Sequence, residues 1–315
     1  MADRMIMKLK VAEARYAASN VLVLQLVHPR RPRLPAWDAG AHVDVHLPKI
    51  GVRQYSLCGD PAETGSYLIA VKLDPEGRGG SHWLHSNLAE GSELHVAAPR
   101  NHFPLAEGDG RVVLIGGGIG ITPLAAMAHT LVARKGDFVF HYCAPDEATA
   151  PLLAELRELC GERLRVWLSS QGTRFDSTAS LADETAAEIY VCGPERLTAA
   201  AVATILAAGH AEERLHTERF TALTEADFQP QAFEAVIASS SRQLAVPADR
   251  TLLDVLEESG IVLESSCKIG VCGACECGYL AGDVIHRDVV LSPGQRKRRL
   301  MPCVSRARGH VTLDL

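Results

Sequence analysis

Four cysteines stand at a spacing that redox chemistry explains. Cys267, Cys272 and Cys275 follow the pattern C-x4-C-x2-C, and Cys303 comes after 27 intervening residues. A two-iron, two-sulfide cluster needs four thiolates, and this pattern supplies three from one tight loop and a fourth from a distant segment. Gly270 and Gly273 let that loop wrap an inorganic core without a Cβ in the way. A zinc site with four cysteine ligands more often presents two short-spaced pairs, and only Cys272 and Cys275 form such a pair. Cys277 falls outside the motif, and four thiolates already suffice. A cluster of this kind moves single electrons, so other parts of the chain must collect them.

Further patches suit that task. Gly79, Gly80 and Ser81 offer backbone N–H groups that a phosphate can approach closely, although such a triplet is also an ordinary turn. Arg53 and Arg78 can add a charge-assisted contact. In Arg53-Gln54-Tyr55-Ser56, Tyr55 can cover an aromatic ring and Ser56 can hydrogen-bond its edge. Gly116-Gly117-Gly118-Ile119-Gly120-Ile121-Thr122-Pro123 follows an apolar strand and opens a helix, the setting of an anion site for a pyrophosphate. Cys192-Gly193-Pro194 ends a later strand, where open α/β sheets place ligands. Cys192 there suits a place near a nicotinamide, or simply a small apolar position in the core. Glu218-Arg219-Phe220 ends the last strand of that stretch, and Phe220 suits either a core position or the face of a flavin ring.

The elements that position these groups can be read from periodicity. Segments 21–27, 41–47, 67–73 and 93–97 read as strands separated by Pro, Gly and Asp, which suggests a small antiparallel barrel. From residue 112 the pattern changes to alternating strands and helices. Strands are predicted over 112–115, 138–143, 164–168 and 189–192, with helices over 124–133, 150–160 and 195–208, the rhythm of a parallel sheet. Segment 224–231 is polar and reads as a linker. Beyond it, 233–238 and 242–246 pair as a hairpin. A short helix over 251–259 carries Thr251 as N-cap and Gly260 as its stop, and this small β-grasp unit presents the cluster loop.

Composition limits the partners. A chain of 315 residues with 47% hydrophobic content suits two or three domains. The net charge of −6 and the 5% aromatic content give no bulk reason to expect nucleic acid or a membrane surface. The longest stretch free of formal charge, 112–133, holds three consecutive glycines and a proline, so it reads as strand, loop and helix, not as a membrane span. The first residues lack the apolar core of a signal peptide, and five cysteines beyond the four ligands fit reduced thiols in a cytoplasm. Arg296-Lys297-Arg298-Arg299 reads either as a solvated face or as a docking site for an acidic partner.

Taken in order, Arg-x-Tyr-Ser, Gly-Gly-Ser, the glycine-rich run, Cys-Gly-Pro, Glu-Arg-Phe and the cysteine pattern resemble the phthalate dioxygenase reductase family, most of all its vanillate O-demethylase oxidoreductase-like members. Segments 98–105, 286–288 and 302–307 are similar to that family as well. The resemblance implies three domains: an antiparallel β-barrel binding FMN over 1–106, an α/β parallel-sheet NAD domain over 107–223, and a β-grasp plant-type ferredoxin domain over 233–315 after a linker at 224–232. It implies FMN at Arg53, Gln54, Tyr55 and Ser56, with its phosphate at Gly79, Gly80 and Ser81. It implies NADH across Gly118, Ile119, Gly120 and Thr122, with Cys192, Gly193 and Pro194 near the nicotinamide and Glu218 and Phe220 near the flavin. Electrons would run from NADH to FMN to the [2Fe–2S] cluster on Cys267, Cys272, Cys275 and Cys303, and then to a terminal Rieske-type oxygenase. Where relatives often carry Arg after the second strand of the nucleotide domain, this chain has Asp146 and Glu147, which disfavours a 2′-phosphate and points to NADH over NADPH. The alternatives are a reductase for another acceptor, such as a monooxygenase or dehalogenase, and a non-catalytic iron–sulfur redox sensor.

Overall fold

The computed structural model describes residues 5–184, 186–222 and 228–315. By contacts the chain divides into two units, 1–218 and 219–315, and the first holds two sheets. The expected linker at 224–232 has its first residues, 224–227, outside the described part.

The first sheet contains β1 (Ile6–Ala18), β2 (Val21–Val27), β3 (Ala41–Leu47), β4 (Gly51–Ser56), β5 (Ser66–Lys72), β6 (Glu93–Ala97) and the short β7 (Arg100–Asn101). Its order is β4-β3-β6-β1-β2-β5, with β7 paired to β3. A bridge from Leu57 to Ile69 and the bond from Cys58 N–H to Leu68 O (2.9 Å) link the two ends of this path, which makes it barrel-like. Inward residues such as Leu9, Val11, Leu24, Val43 and Ile69 are buried, as period-two alternation requires. Helix α1 (Gly80–Asn87) follows β5. Where the sequence suggests only a phosphate turn at Gly79–Ser81, the chain begins a helix, with Gly79 left-handed at φ +79° as its N-cap.

The second sheet is parallel throughout. It comprises β8 (Val112–Gly117), β9 (Phe138–Ala144), β10 (Leu164–Leu168), β11 (Glu188–Cys192) and β12 (Leu215–Glu218), in the order β10-β9-β8-β11-β12. Helices α2 (Ile121–Ala133), α3 (Leu153–Cys160), α4 (Ser177–Leu181) and α5 (Glu195–Ala207) connect the strands. The chain winds outward from β8 in one direction and then from β11 in the other. The crevice at the carboxyl ends of β8 and β11 is therefore the switch point, where such sheets bind ligands.

Tyr190 on β11 ties the two sheets together. Its hydroxyl accepts the Ala106 N–H at 2.8 Å and donates to Pro104 O at 3.4 Å, on the segment leading out of the barrel. Its ring stacks on His216 and meets Phe103 edge-on. Arg134 reaches the Ala106 carbonyl, and Arg15 pairs with Glu155 at 2.7 Å.

The second unit holds a mixed sheet of β13 (Phe233–Ile237), β14 (Arg242–Val246), β15 (Cys277–Ile285), β16 (Arg299–Leu300) and β17 (Arg306–Leu313), ordered β14-β13-β17-β15-β16. β17 runs parallel to β13, the pairing that marks a β-grasp. Helix α6 (Leu252–Glu258) packs its Leu252 and Leu256 into this core, and α7 (Pro293–Arg296) precedes β16. The Thr251 hydroxyl accepts the Asp254 N–H at 3.0 Å, so the expected N-cap forms and contributes about 1 kcal/mol. Gly260 follows the helix at φ +86°.

At the switch point the packing is backbone on backbone. A Cβ on Gly120 would stand 2.5 Å from the Cys192 carbonyl oxygen, whereas Gly110 has nothing within 4 Å. Gly120→Ala is expected to destabilise the first unit by roughly 1–3 kcal/mol, with Gly110→Ala close to neutral. Equal thermal midpoints for the two variants would contradict this packing.

Candidate functional site

At the switch point three polar groups converge from separate parts of the chain. Ser56 ends β4, Cys192 ends β11, and Glu218 ends β12, directly paired in register with Cys192. The Ser56 hydroxyl donates to the Glu218 carboxyl. The other oxygen, Oε2, is sealed from solvent and has no hydrogen-bond partner among the described residues. Burial pushes the Glu218 carboxyl up to about 8, against which the Ser56 hydrogen bond works. Burial, and then the neighbouring Glu218, push the Cys192 thiol well up. At neutral pH both groups therefore keep their protons, and the crevice holds a neutral carboxylic acid beside a neutral thiol.

The glycine-rich turn and the Cys-Gly-Pro turn form the crevice walls. Gly116, Gly117 and Gly120 are required by internal packing: a Cβ at Gly117 would meet Leu197 at 2.7 Å and Pro194 at 3.1 Å. Gly118 differs, at φ +54° with open space around it. Thr122 is buried and donates its hydroxyl to Ile119 O at 2.9 Å, so it shapes the turn. From here a cavity of about 580 Å³ runs away from Cys192 toward β9 and β10. Gly117, Gly118 and Ile119 line its near end, and Trp167, Ser169, Arg174 and Phe175 line its far end. His141 accepts the Trp167 indole N–H at 3.2 Å and contacts Phe175, which fixes the aromatic wall. Burial lowers the His141 imidazole to about 4 and keeps it neutral as that acceptor.

The carboxylates expected to disfavour a 2′-phosphate lie elsewhere. Asp146 accepts the Thr149 N–H at 2.9 Å, and Glu147 pairs with Arg157 at 2.5 Å. Neither lines the cavity, whose cationic groups are Lys72, Arg174 and Arg196. Asp146 and Glu147 therefore do not face a nucleotide in this cavity.

On the barrel side, Arg53 lies across the start of α1. A Cβ on Gly80 would stand 2.6 Å from Arg53 Cγ, and Arg53 donates to Arg78 O at 2.7 Å. The first intrahelical bond of α1 comes from Trp83 N–H to Gly79 O, so the amides of Gly80, Ser81 and His82 precede it. No acidic residue or side-chain cap occupies that first turn. These features fit an anion held by amides and a guanidinium. The Ser81 hydroxyl instead accepts the Asp74 N–H at 3.0 Å. Tyr55 is half-buried beside Ser56.

The sequence reading missed Asp44. It is buried on β3, accepts Arg100 at 3.0 and 3.2 Å, and takes the Gln54 amide at 3.1 Å. This pair orients Gln54 two residues before Ser56. A carboxylate at the centre of a strand with apolar residues on both sides of it, Val43 and Val45, was the available signal.

In the second unit all four predicted ligands are buried thiols. They fall into two pairs, Cys267 with Cys272 and Cys275 with Cys303. Two thiolates for each of two irons is the division a [2Fe–2S] core requires. Contact with Cys272 lowers the Cys267 thiol, as do the amides of Ile269, Val271 and Gly270. Gly270, at φ +78°, carries its carbonyl to the Val289 N–H, and a Cβ there would strike Val304 at 2.7 Å. Buried Asp288 caps the adjoining loop, accepting the N–H groups of Val290 and Leu291. Cys277 is buried in the sheet core, apart from the cluster pairs. Phe220 is exposed, two residues beyond β12.

The comparisons with known proteins agree with this geometry. Residues 236–308 match the 2Fe-2S iron-sulfur cluster binding domain. A vanillate O-demethylase oxidoreductase of Pseudomonas sp. (strain HR199 / DSM 7063) is 38% identical, over 97% of this chain and 98% of its own. The solved phthalate dioxygenase reductase, described as a modular structure for electron transfer from pyridine nucleotides to [2Fe-2S], superposes with a TM-score of 0.71 at 32% identity over 98% of both chains. An intact type IV self-sufficient cytochrome P450 monooxygenase superposes with a TM-score of 0.88 at 39% identity. That match covers 98% of this chain but only 41% of the monooxygenase.

The raised Glu218 carboxyl has a spectroscopic consequence. Infrared difference spectra at pH 7 should show a protonated carboxyl band that disappears in Glu218→Gln and titrates away near pH 8. Because the folded state holds this proton from about 4.5 up to about 8, stability should fall as pH rises through that window. Glu218→Gln should flatten that slope. An unchanged band and slope in the variant would assign the proton elsewhere.

Proposed function

The chain belongs to the phthalate dioxygenase reductase family, and from that premise we propose that it passes electrons from NADH through FMN to a [2Fe–2S] cluster and on to a terminal Rieske-type oxygenase or O-demethylase. It is an oxidoreductase whose bound groups carry the electrons while the protein positions them. The observation that carries this reading is the pairing of four buried cysteines in a chain whose other unit has the Ser56–Cys192–Glu218 crevice at its sheet switch point.

In this reading residues 1–106 hold FMN, residues 107–223 hold NADH, residues 224–232 link them to the third part, and residues 233–315 hold the cluster. Arg53 and the amides of Gly79, Gly80 and Ser81 grip the flavin phosphate, while Tyr55 covers the ring. Asp44 and Arg100 keep Gln54 in register beside it. Gly118 and Ile119 face the dinucleotide, and Gly120, Thr122, Gly193 and Pro194 shape the turn that carries them. The reactive groups lie at β11 and β12, and Trp167, Arg174 and Phe175 at the far end of the cavity would hold the adenosine end. Phe220, two residues after Glu218, would stand at the flavin face that the nicotinamide must reach.

When bound, the flavin supplies hydride acceptance and single-electron release, and the cluster supplies one-electron carriage. Ser56 Oγ, which donates to Glu218 in this structure, would turn that hydrogen bond to the reacting edge of the flavin. Glu218 keeps its proton and offers a neutral donor where negative charge develops, which burial makes possible. Cys192 excludes water without adding a charge. The backbone amides around Cys267 favour its thiolate and would tune the potential of a bound cluster. Among the described residues no helix is long and apolar enough to cross a membrane, and free cysteines suit a reducing cytoplasm.

A monooxygenase acceptor is the second reading, favoured by the likeness of the whole chain to part of the cytochrome P450 monooxygenase.

Ser56→Ala should slow flavin reduction by NADH by about tenfold to a hundredfold, as loss of one positioned donor does, and change FMN retention little. Stopped-flow traces with an unaltered reduction rate would remove that role from Ser56. Cys272→Ser should abolish cytochrome c reduction while NADH–ferricyanide turnover, which needs only the flavin, persists. Equal loss of both activities would contradict the electron order.

A further inference from the structure

The basic run at 296–299 is built into the wall of the cluster site. Gln295 and Ser292 close a capping box that fixes α7, and the Tyr279 hydroxyl donates to Arg296 O at 2.7 Å. The Tyr279 N–H bonds Arg298 O at 2.9 Å, and Arg299 and Leu300 pair with Cys277 and Gly278 of β15. Immediately beyond, Leu300 and Met301 turn inward, and Met301 packs with Cys275 and Cys303, the second thiol pair. The backbone under the charges is therefore rigid and continuous with two cluster ligands.

The four side chains divide by role. Arg296 turns back to Asp288 O at 2.7 Å and holds the loop. Arg299 bonds Glu276, the residue after Cys275, at 2.8 Å. Lys297 and Arg298 are exposed and make no ion pair among the described residues. Their charge is thus displayed to solvent beside the ligand pair, in a chain whose net charge is −6. Lys268, next to Cys267, is by contrast paired with Asp254 and Glu257, and Glu258 pairs with Arg250. Exposed, unpaired cations fixed beside two ligands, in a chain of negative net charge, give an approaching protein a preferred edge.

We infer that the ridge of Lys297 and Arg298 is the docking surface for an acidic face of the protein that takes electrons from the cluster. This rests on the electron-transfer reading above. Electrons leave by the Cys275–Cys303 edge, and the ridge guides an anionic acceptor there and repels a cationic one.

The test uses the full-length holoprotein with two haem proteins of opposite charge as acceptors, acidic cytochrome b5 and basic cytochrome c. At low ionic strength the double variant Lys297→Glu/Arg298→Glu should lose roughly tenfold in kcat/KM for cytochrome b5 and gain for cytochrome c. Both changes should shrink above about 0.1 M salt, where the Debye length falls to about 10 Å. Lys297→Ala/Arg298→Ala should give smaller shifts of the same signs. Unchanged rates with both cytochromes, or a fall with both, would overturn the docking surface. NADH–ferricyanide turnover and bleaching of the visible spectrum by NADH serve as the control. Their presence with unmoved cytochrome rates sinks the ridge alone, whereas their absence in the unmodified protein sinks the electron-transfer reading itself.

Discussion

The site in the first unit depends on one close approach of backbones. The turn after β8 lies against the turn after β11 so tightly that Gly120 has no room for a Cβ beside the Cys192 carbonyl, and Gly117 has none beside Pro194 and Leu197. Only glycine permits that contact, and the contact joins the ends of the strands that flank the switch point. Cys192 and Glu218 then fall side by side by strand register. Ser56 reaches them because Tyr190 clamps the segment leaving the barrel onto β11. Shifting the two turns apart would separate these three groups together, since each is carried on a strand end.

The two chemical sites solve opposite electrostatic problems. Burial raises the Glu218 carboxyl and leaves its Oε2 without a partner among the described residues, so it keeps its proton at neutral pH and adds no charge to the crevice. The cluster cysteines must lose their protons, and Cys267 is surrounded by amides of its own loop that favour the thiolate. One site excludes charge through burial, and the other stabilises charge through oriented N–H groups. Neither needs a side-chain nucleophile, in keeping with chemistry carried by bound groups.

Arginine is used in the same economical way. Arg53 lies over Gly80 at the start of α1, and Arg100 neutralises buried Asp44, which would otherwise be an uncompensated charge inside the barrel. Arg296 holds the loop above the cluster, while its neighbours Lys297 and Arg298 remain exposed.

What could be read from the chain alone was whatever is local. The cluster ligands sit within nine residues apart from Cys303, and their spacing is dictated by iron geometry, so the motif was visible without a fold. Many strand and helix periods were equally plain, as were Thr251 as an N-cap and Gly260 as a stop, because each depends on neighbours a few residues away, but the strands Ile6–Ala18, Cys277–Ile285 and Arg306–Leu313 and the helix Gly80–Asn87 went unread. The family resemblance also lay in short motifs and their order. Tertiary structure decided the rest. Ser56 and Glu218 are 162 positions apart in the numbering and Asp44 and Arg100 are 56 apart, and no local pattern records that such residues touch. It also turned Asp146 and Glu147 into a turn cap and a surface ion pair, and left Arg174 and Arg196 in the cavity. A carboxylate's effect on a ligand depends on where its oxygens point, and that is settled by packing between distant segments, not by the residue's place in a motif.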